Sequence, residues 1–231
     1  MVIINVKKEE QHNILKGYNM LLYFAGTMII FDPEKECIHD FWSKGILKNL
    51  PVSSRNPRFI KAASQLRESI EDEKSSVTMM KKDYLTLFTG SANPMAPPYE
   101  SVYRIKDYPI SDKQTDSVME FYKSYGWESK FKGKISDDHL GVELLFLTLM
   151  IEKYLDIEDE VCNAEMRNEI RRFIDQHIMS WVPSWNKKIQ EHANTLGYKG
   201  IGTLILACAE DLYNIMGQKN SLPKKSQHHS N

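Results

Sequence analysis

Asp137-Asp138-His139, followed by Glu143, puts three carboxylates and an imidazole within seven residues. His139 and Glu143 are one helical turn apart, a spacing at which the glutamate can hold the ring. Asp137, Asp138, Glu143 and, upstream, Glu100 are acceptors of the kind that fork with a guanidinium. Tyr84, Leu87, Phe88, Tyr99 and Tyr103 supply the apolar surface that would go with them. Carboxylates beside an apolar groove suit a peptide carrying arginines followed by an apolar segment. Each of these residues also has a plainer reading. Asp137 and Asp138 can be charges at a helix N-terminus, worth about 0.3–1 kcal/mol. His139 can be a capping or core histidine, and Tyr84, Leu87 and Phe88 can be core.

Metal chemistry is weakly signalled. His39-Asp40, with His12 and a later aspartate, could begin the ligand set of an HD-type phosphohydrolase, in which a divalent ion activates water. Glu36-x-x-His39 supplies one half of a di-iron carboxylate motif, which needs two such pairs and two further glutamates. Both sets are incomplete. No G-x-x-x-x-G-K-[ST], H-E-x-x-H or G-x-S-x-G occurs, so the sequence gives no support to a P-loop, a zincin helix or a nucleophile elbow. No cofactor, metal or catalytic residue is expected.

Composition narrows the elements that must position these residues. The 231 residues carry 30 basic and 31 acidic side chains, a net charge of −1, which is no field for nucleic acid or an anionic membrane. Lys219, Lys224 and Lys225 are the only charges after residue 216, so the body before them stands at −4. Glycine and proline are scarce, 11 and 9 residues, which leans away from turn-rich β folds and disorder. Cys37, Cys162 and Cys208 are odd in number and far apart, and read as reduced, buried small hydrophobes. Met1–Lys8 has its charge on the wrong side for a secretory signal. The apolar run Leu140–Ile151 is too short to span a bilayer, which needs roughly 20 residues.

Apolar residues recur at helical spacing along most of the chain. A first helix runs through Ile14, Tyr18, Leu21, Leu22, Ala25, Met28 and Ile29 and stops at Asp32-Pro33. A short second one carries Ile38, Phe41 and Trp42, and a third opens at Asn56-Pro57, an N-cap with proline at N1. A fourth holds Val77, Met80, Tyr84, Leu87 and Phe88 and closes at Gly90, read as a left-handed cap. Ser111-x-x-Gln114 has the form of a capping box ahead of Val118, Phe121, Tyr122 and Tyr125, with Gly126 at the end. Ser136-Asp137-Asp138 caps a central buried helix through Leu140, Leu144, Leu147, Ile151 and Tyr154. Met166 to Trp181 forms another stripe, with His177 and Trp181 joining it to a short helix opened by Pro183, and Ile201 to Ile215 forms the last. The fold expected is all-α, a single-domain bundle of about eight to nine helices over residues 1–216, with a disordered polar tail at 217–231. Four of the nine prolines fall at Pro94, Pro97, Pro98 and Pro109, in a long connection from Ser91 to Ile110 that also holds Tyr99, Tyr103 and Tyr108. Such a loop is either a stiff strap packed on the bundle or one wall of a peptide groove.

Tyr84-Leu85-Thr86-Leu87-Phe88-Thr89-Gly90, Pro97-Pro98-Tyr99-Glu100-Ser101-Val102-Tyr103, Tyr122 to Gly126, Asp137 to Phe146, and His177 to Pro183 resemble the successive motifs of the TorD/DmsD family. The resemblance spans roughly residues 80 to 185 in the same order. It implies a non-catalytic cytoplasmic chaperone that binds the twin-arginine leader, and often the body, of an apo-molybdopterin oxidoreductase. Such a chaperone holds its client for cofactor insertion before export, as a monomer or homodimer, with no nucleic acid and no membrane insertion. The family's aromatic-x-x-Leu-Phe-x-Gly element falls here on Tyr84, Leu87, Phe88 and Gly90, and its Asp-His element on Asp138 and His139. Where the family usually has Glu-Pro before that Asp-His, this chain has Ile135-Ser136. Guanine-nucleotide binding, suggested for some members, has no visible loop in this sequence.

Overall fold

The computed structural model describes residues 2–33, 49–71, 77–90, 93–104 and 118–218. The helix through Ile38, Phe41 and Trp42, the residues Glu36, Cys37, His39 and Asp40, the Ser111 capping box and the tail from residue 219 lie outside them. Among the described residues every regular element is helical. They are α1 (Val2–Ile30), α2 (Pro57–Glu71), α3 (Val77–Tyr84), α4 (Glu100–Tyr103), α5 (Val118–Ser124), α6 (Leu140–Asp156), α7 (Glu160–Phe173), α8 (Val182–His192) and α9 (Leu196–Gly217). Two π-helical turns extend α3 and α7, Leu85–Thr89 and Ile174–Met179.

The most apolar stretches become the two inner helices. Eleven of the 17 residues of α6 and 14 of the 22 of α9 are buried. α1 packs on both, α9 also packs on α2, α7 and α8, and all contribute to one hydrophobic core. The α1–α6 crossing is close because both helices lack a side chain there. A Cβ on Gly141 would sit 2.4 Å from Ile30 Cγ1 and 3.0 Å from Gly26 O.

The helix starts follow local chemistry. Asn56 Oδ1 accepts from Arg58 N–H at 2.9 Å, Asp159 Oδ1 from Val161 and Cys162 N–H, and α8 carries Pro183 in its first turn. Buried Asp83 takes five hydrogen bonds, from the backbone and side chain of both Asn194 and Thr195, and so ties α3 to the start of α9.

Three expectations need correction. Gly90 has φ −84°, so it is not a left-handed cap. Glycine is required there because a Cβ would lie 2.7 Å from Leu85 Cβ, where Gly90 N–H closes the π-turn onto Leu85 O at 2.6 Å. Gly126 does take the left-handed conformation, φ +61°. The N-cap of α6 is His139 rather than Ser136, because Ser136 O closes a turn onto His139 N–H at 3.1 Å and His139 itself is extended and bridges Tyr99. Cys162 is exposed in the first turn of α7, whereas Cys208 is buried.

Candidate functional site

Residues 93–104 form a strap across one end of the bundle. Met95 N–H and Ala96 N–H donate to Thr86 O and Leu87 O, carbonyls that the first π-turn leaves free. Trp185 Nε1 donates to Ala96 O at 3.1 Å. Tyr99 and His139 then form an isolated antiparallel bridge, with Glu100 N–H to Asp138 O at 2.9 Å and Leu140 N–H to Pro98 O at 2.8 Å. One turn of helix, α4, follows, and Tyr103 at its end stacks on Trp181 with ring centres 5.4 Å apart. The described part of the proline-rich connection, residues 93–104, is therefore a strap that is packed down, and it brings Tyr99 and Glu100 against the Asp138-His139 element.

At the surface of this junction Asp138 is half-buried and accepts from Ser101 N–H at 3.1 Å and from Ser136 Oγ at 2.5 Å. Burial pushes its carboxyl up, but these hydrogen bonds outweigh burial and hold it below the ordinary range, so it is a fixed anion at neutral pH. His139 Nδ1 accepts from Gly141 N–H at 3.0 Å, and its ring meets Tyr99 edge-on at 5.1 Å. Burial lowers this imidazole to about 4 against a small opposing pull from Asp138, so it caps α6 as the neutral ring. Tyr84 donates its hydroxyl to Ile30 O at 3.0 Å. Burial first, then the Asp32 carboxylate and Tyr99, push it up to about 12.

Beneath the strap is a second, buried group. Glu100 Oε1 lies 2.8 Å from Arg104 Nε, and Glu100 Oε2 lies 3.1 Å from Nδ1 of the fully buried His177. Facing a carboxylate oxygen, that nitrogen carries the ring proton. Arg104 Nη2 also donates to Gln176 O, and Trp181 Nε1 to His177 O. Glu143 is completely buried, and neither of its oxygens hydrogen-bonds to the described residues. Burial, and then the Glu100 and Asp138 carboxylates, raise it well above the carboxyl range, so it is held as the neutral acid. The expectation that Glu143 holds His139 is thus corrected. The histidine turns its acceptor to the helix backbone, and the glutamate points into the core with Glu100.

The structure divides the sequence-derived set by depth. Tyr99, Asp137 and Asp138 are half-buried at the junction, and Tyr103 is half-buried between Trp181 and the Lys188 ammonium. Glu100, Glu143 and His139 are buried polar groups. Leu87 and Phe88 are core, with Phe88 stacked on Trp185, and Tyr84 shows only its edge. Gly90 is exposed at the end of the π-turn. The apolar side chains that do reach solvent on these segments are Leu85, Met95 and Val102, 41%, 48% and 52% exposed.

Sequence reasoning missed Arg104 and Asp32. The i, i+4 spacing of Glu100 and Arg104 was the available signal for the first. Asp32 reads in sequence only as a helix stop. A separate cleft of about 680 Å3 lies between Ser54–Asn56, Asp175, Met179, Glu210, Asp211, Tyr213 and Asn214, and holds none of the predicted residues. Among the described residues no group of three or more His, Cys, Asp or Glu is placed to hold a metal ion, and no helix is long and apolar enough to cross a membrane.

Residues 56–187, which contain every sequence-derived site residue from Tyr84 to Glu143, match the family model described as nitrate reductase delta subunit. The chain is 23% identical over 188 residues to the chaperone protein TorD of Vibrio parahaemolyticus, covering 81% of this chain and 87% of that protein. It is 24% identical over 163 residues to the TorD of Vibrio vulnificus (71% and 74% covered) and 28% identical over 156 residues to that of Vibrio atlanticus (67% and 69%).

Proposed function

From the premise that this chain belongs to the nitrate reductase delta subunit family, we propose that it is a redox-enzyme maturation chaperone rather than an enzyme. Its client is an apo-molybdopterin oxidoreductase, held in the cytoplasm through its twin-arginine leader until the cofactor is inserted. The similarity to several TorD chaperones along most of their length supports the general role.

The observation that carries the finer reading is the fixed, half-exposed Asp138 anion beside Tyr99, at a junction whose neighbouring segments expose Leu85, Met95 and Val102. A guanidinium adds charge-assisted hydrogen bonds to a carboxylate that is already aligned, so little ordering cost is left to the complex. The apolar half of the leader packs on the exposed aliphatic and thioether side chains, a role that buried Leu87 and Phe88 do not fill in this conformation. Asp137, with Asp138, supplies charge for the second arginine. The −4 body charge favours encounter with a cationic leader.

Co-expression tests the role. A twin-arginine-bearing oxidoreductase subunit from the same genome should co-purify in its cofactor-free form and dissociate once loaded. Equal recovery of the loaded and cofactor-free subunits would contradict the reading.

A further inference from the structure

At the end of the strap the chain has docked an arginine of its own. The Glu100 side chain is buried, 5% exposed, and the Arg104 guanidinium, 31% exposed, lies against it. The fit is incomplete. Arg104 follows Glu100 by four residues on a single turn of helix, so its guanidinium is divided between two acceptors. Nε lies 2.8 Å from Glu100 Oε1 without a directed hydrogen bond, and Nη2 donates instead to Gln176 O at 2.9 Å. A carboxylate holds a guanidinium best as a fork, with two parallel N–H donors on its two oxygens. Here Oε2 faces His177 Nδ1–H at 3.1 Å with a lone pair to spare. The buried Oε1 accepts no hydrogen bond among the described residues.

We propose that Glu100 is a guanidinium seat that Arg104 keeps filled in the free chain, and that an arginine of a bound client segment takes Arg104's place. The arginine comes from the client proposed above, so the seat rests on that reading. An empty seat would leave a buried carboxylate without its cation, which is costly; Arg104 prevents this until the client arrives. Exchange of one guanidinium for another leaves the charge beneath the strap unchanged. Arg104 gives up little on leaving. Its half-solvated guanidinium returns to water, Gln176 O keeps Ser180 Oγ as a donor at 2.7 Å, and His177 still orients Glu100. The incoming arginine is not tethered to the same turn of helix, so it is free to fork. Asp138 lies beside the seat, since Glu100 N–H donates to Asp138 O at 2.9 Å, and gathers the cationic segment at the surface.

Titration of the twin-arginine leader into the full chain reads the exchange. Arg104→Ala empties the seat, and Arg104→Lys leaves a cation that lacks the planar fork. With the competitor gone or weakened, the leader should bind tighter than to wild type, by about tenfold for Arg104→Ala and by less for Arg104→Lys. The gain should vanish for the same peptide with both arginines changed to lysine, and when Glu100→Gln is added to either variant. Without any leader, methylguanidinium should raise the melting temperature of Arg104→Ala but not of wild type, and methylammonium should raise neither.

Equal leader affinity in wild type and both variants would overturn the seat and leave the client reading standing. So would a gain that the lysine peptide shares, which is a general effect of charge. Absence of leader binding in every form would contradict the client reading instead. The seat is then overturned if methylguanidinium leaves the Arg104→Ala melting temperature unmoved. Arg104→Lys, which keeps a cation on the buried carboxylate, carries the comparison if Arg104→Ala does not fold.

Discussion

At Asp138 the decisive property is that the carboxylate is ionised, oriented and half in solvent at once. Ser101 N–H and Ser136 Oγ hold it, and it fills no cavity. Asp138→Asn should therefore leave the fold within about 1 kcal/mol of wild type by denaturant unfolding, yet weaken a guanidinium-bearing leader about tenfold, roughly 1.4 kcal/mol, by titration calorimetry. Asp83 is the opposite case. It is fully buried, shares no part of the junction, and takes five hydrogen bonds across the α3–α9 contact. Asp83→Ala should cost about 2–4 kcal/mol, because the buried Thr195 N–H and hydroxyl lose their acceptor and the Asn194 bonds go with it, with leader affinity of the refolded protein unchanged. Asp138 and its neighbours were legible in sequence because carboxylate and aromatic types at those spacings are rare together. Asp83 was not, since its partners lie more than a hundred positions away and no local pattern marks them.

Among the elements, α1 and α6 define how closely the bundle can close. Gly141→Ala would push a methyl to 2.4 Å from Ile30 Cγ1 and 3.0 Å from the Gly26 carbonyl. The helices must separate, and a loss of about 1–3 kcal/mol by overpacking is expected, visible as a lower melting temperature. Helical periodicity revealed α1, α2, α3, α5, α6, α7 and α9 in sequence because each buries a stripe, and Pro183 marked the start of α8. It did not reveal the two π-turns, because an extra residue per turn shifts the stripe by less than the width of the buried face. Nor did it reveal α4, a single turn whose existence depends on pairing with Asp138 and His139 rather than on its own propensity. The same tertiary pairing moved the α6 cap from Ser136 to His139.

For the molecule as a whole, two buried groups set opposing slopes of stability with pH. His139 is lowered from 6.5 to about 4, so the unfolded chain binds its proton first. The stability this group contributes is full above 6.5 and is lost as pH falls toward 4. Glu143 is raised well above its ordinary 4.5, so the folded chain binds the proton first. Its contribution is full below 4.5 and is lost as pH rises toward the raised value. The two slopes oppose each other above 4.5, and that of His139 ends at 6.5. Chemical denaturation at stepped pH should show wild type losing stability relative to Glu143→Gln as pH rises from 4.5. Parallel curves would contradict the assignment.

Thiol labelling should modify the exposed Cys162 in the native protein and leave the buried Cys208 unreactive, its thiol pushed up by burial and then by Asp211. The central claim concerns recognition, and titrating a twin-arginine leader into the full chain tests it most directly. The leader should be that of a molybdopterin oxidoreductase from the same genome, run beside the same peptide with both arginines changed to lysine and beside the Asp138→Asn protein. The account predicts saturable binding of the arginine peptide, weakened by either change. Equal affinity for both peptides and both proteins would contradict it.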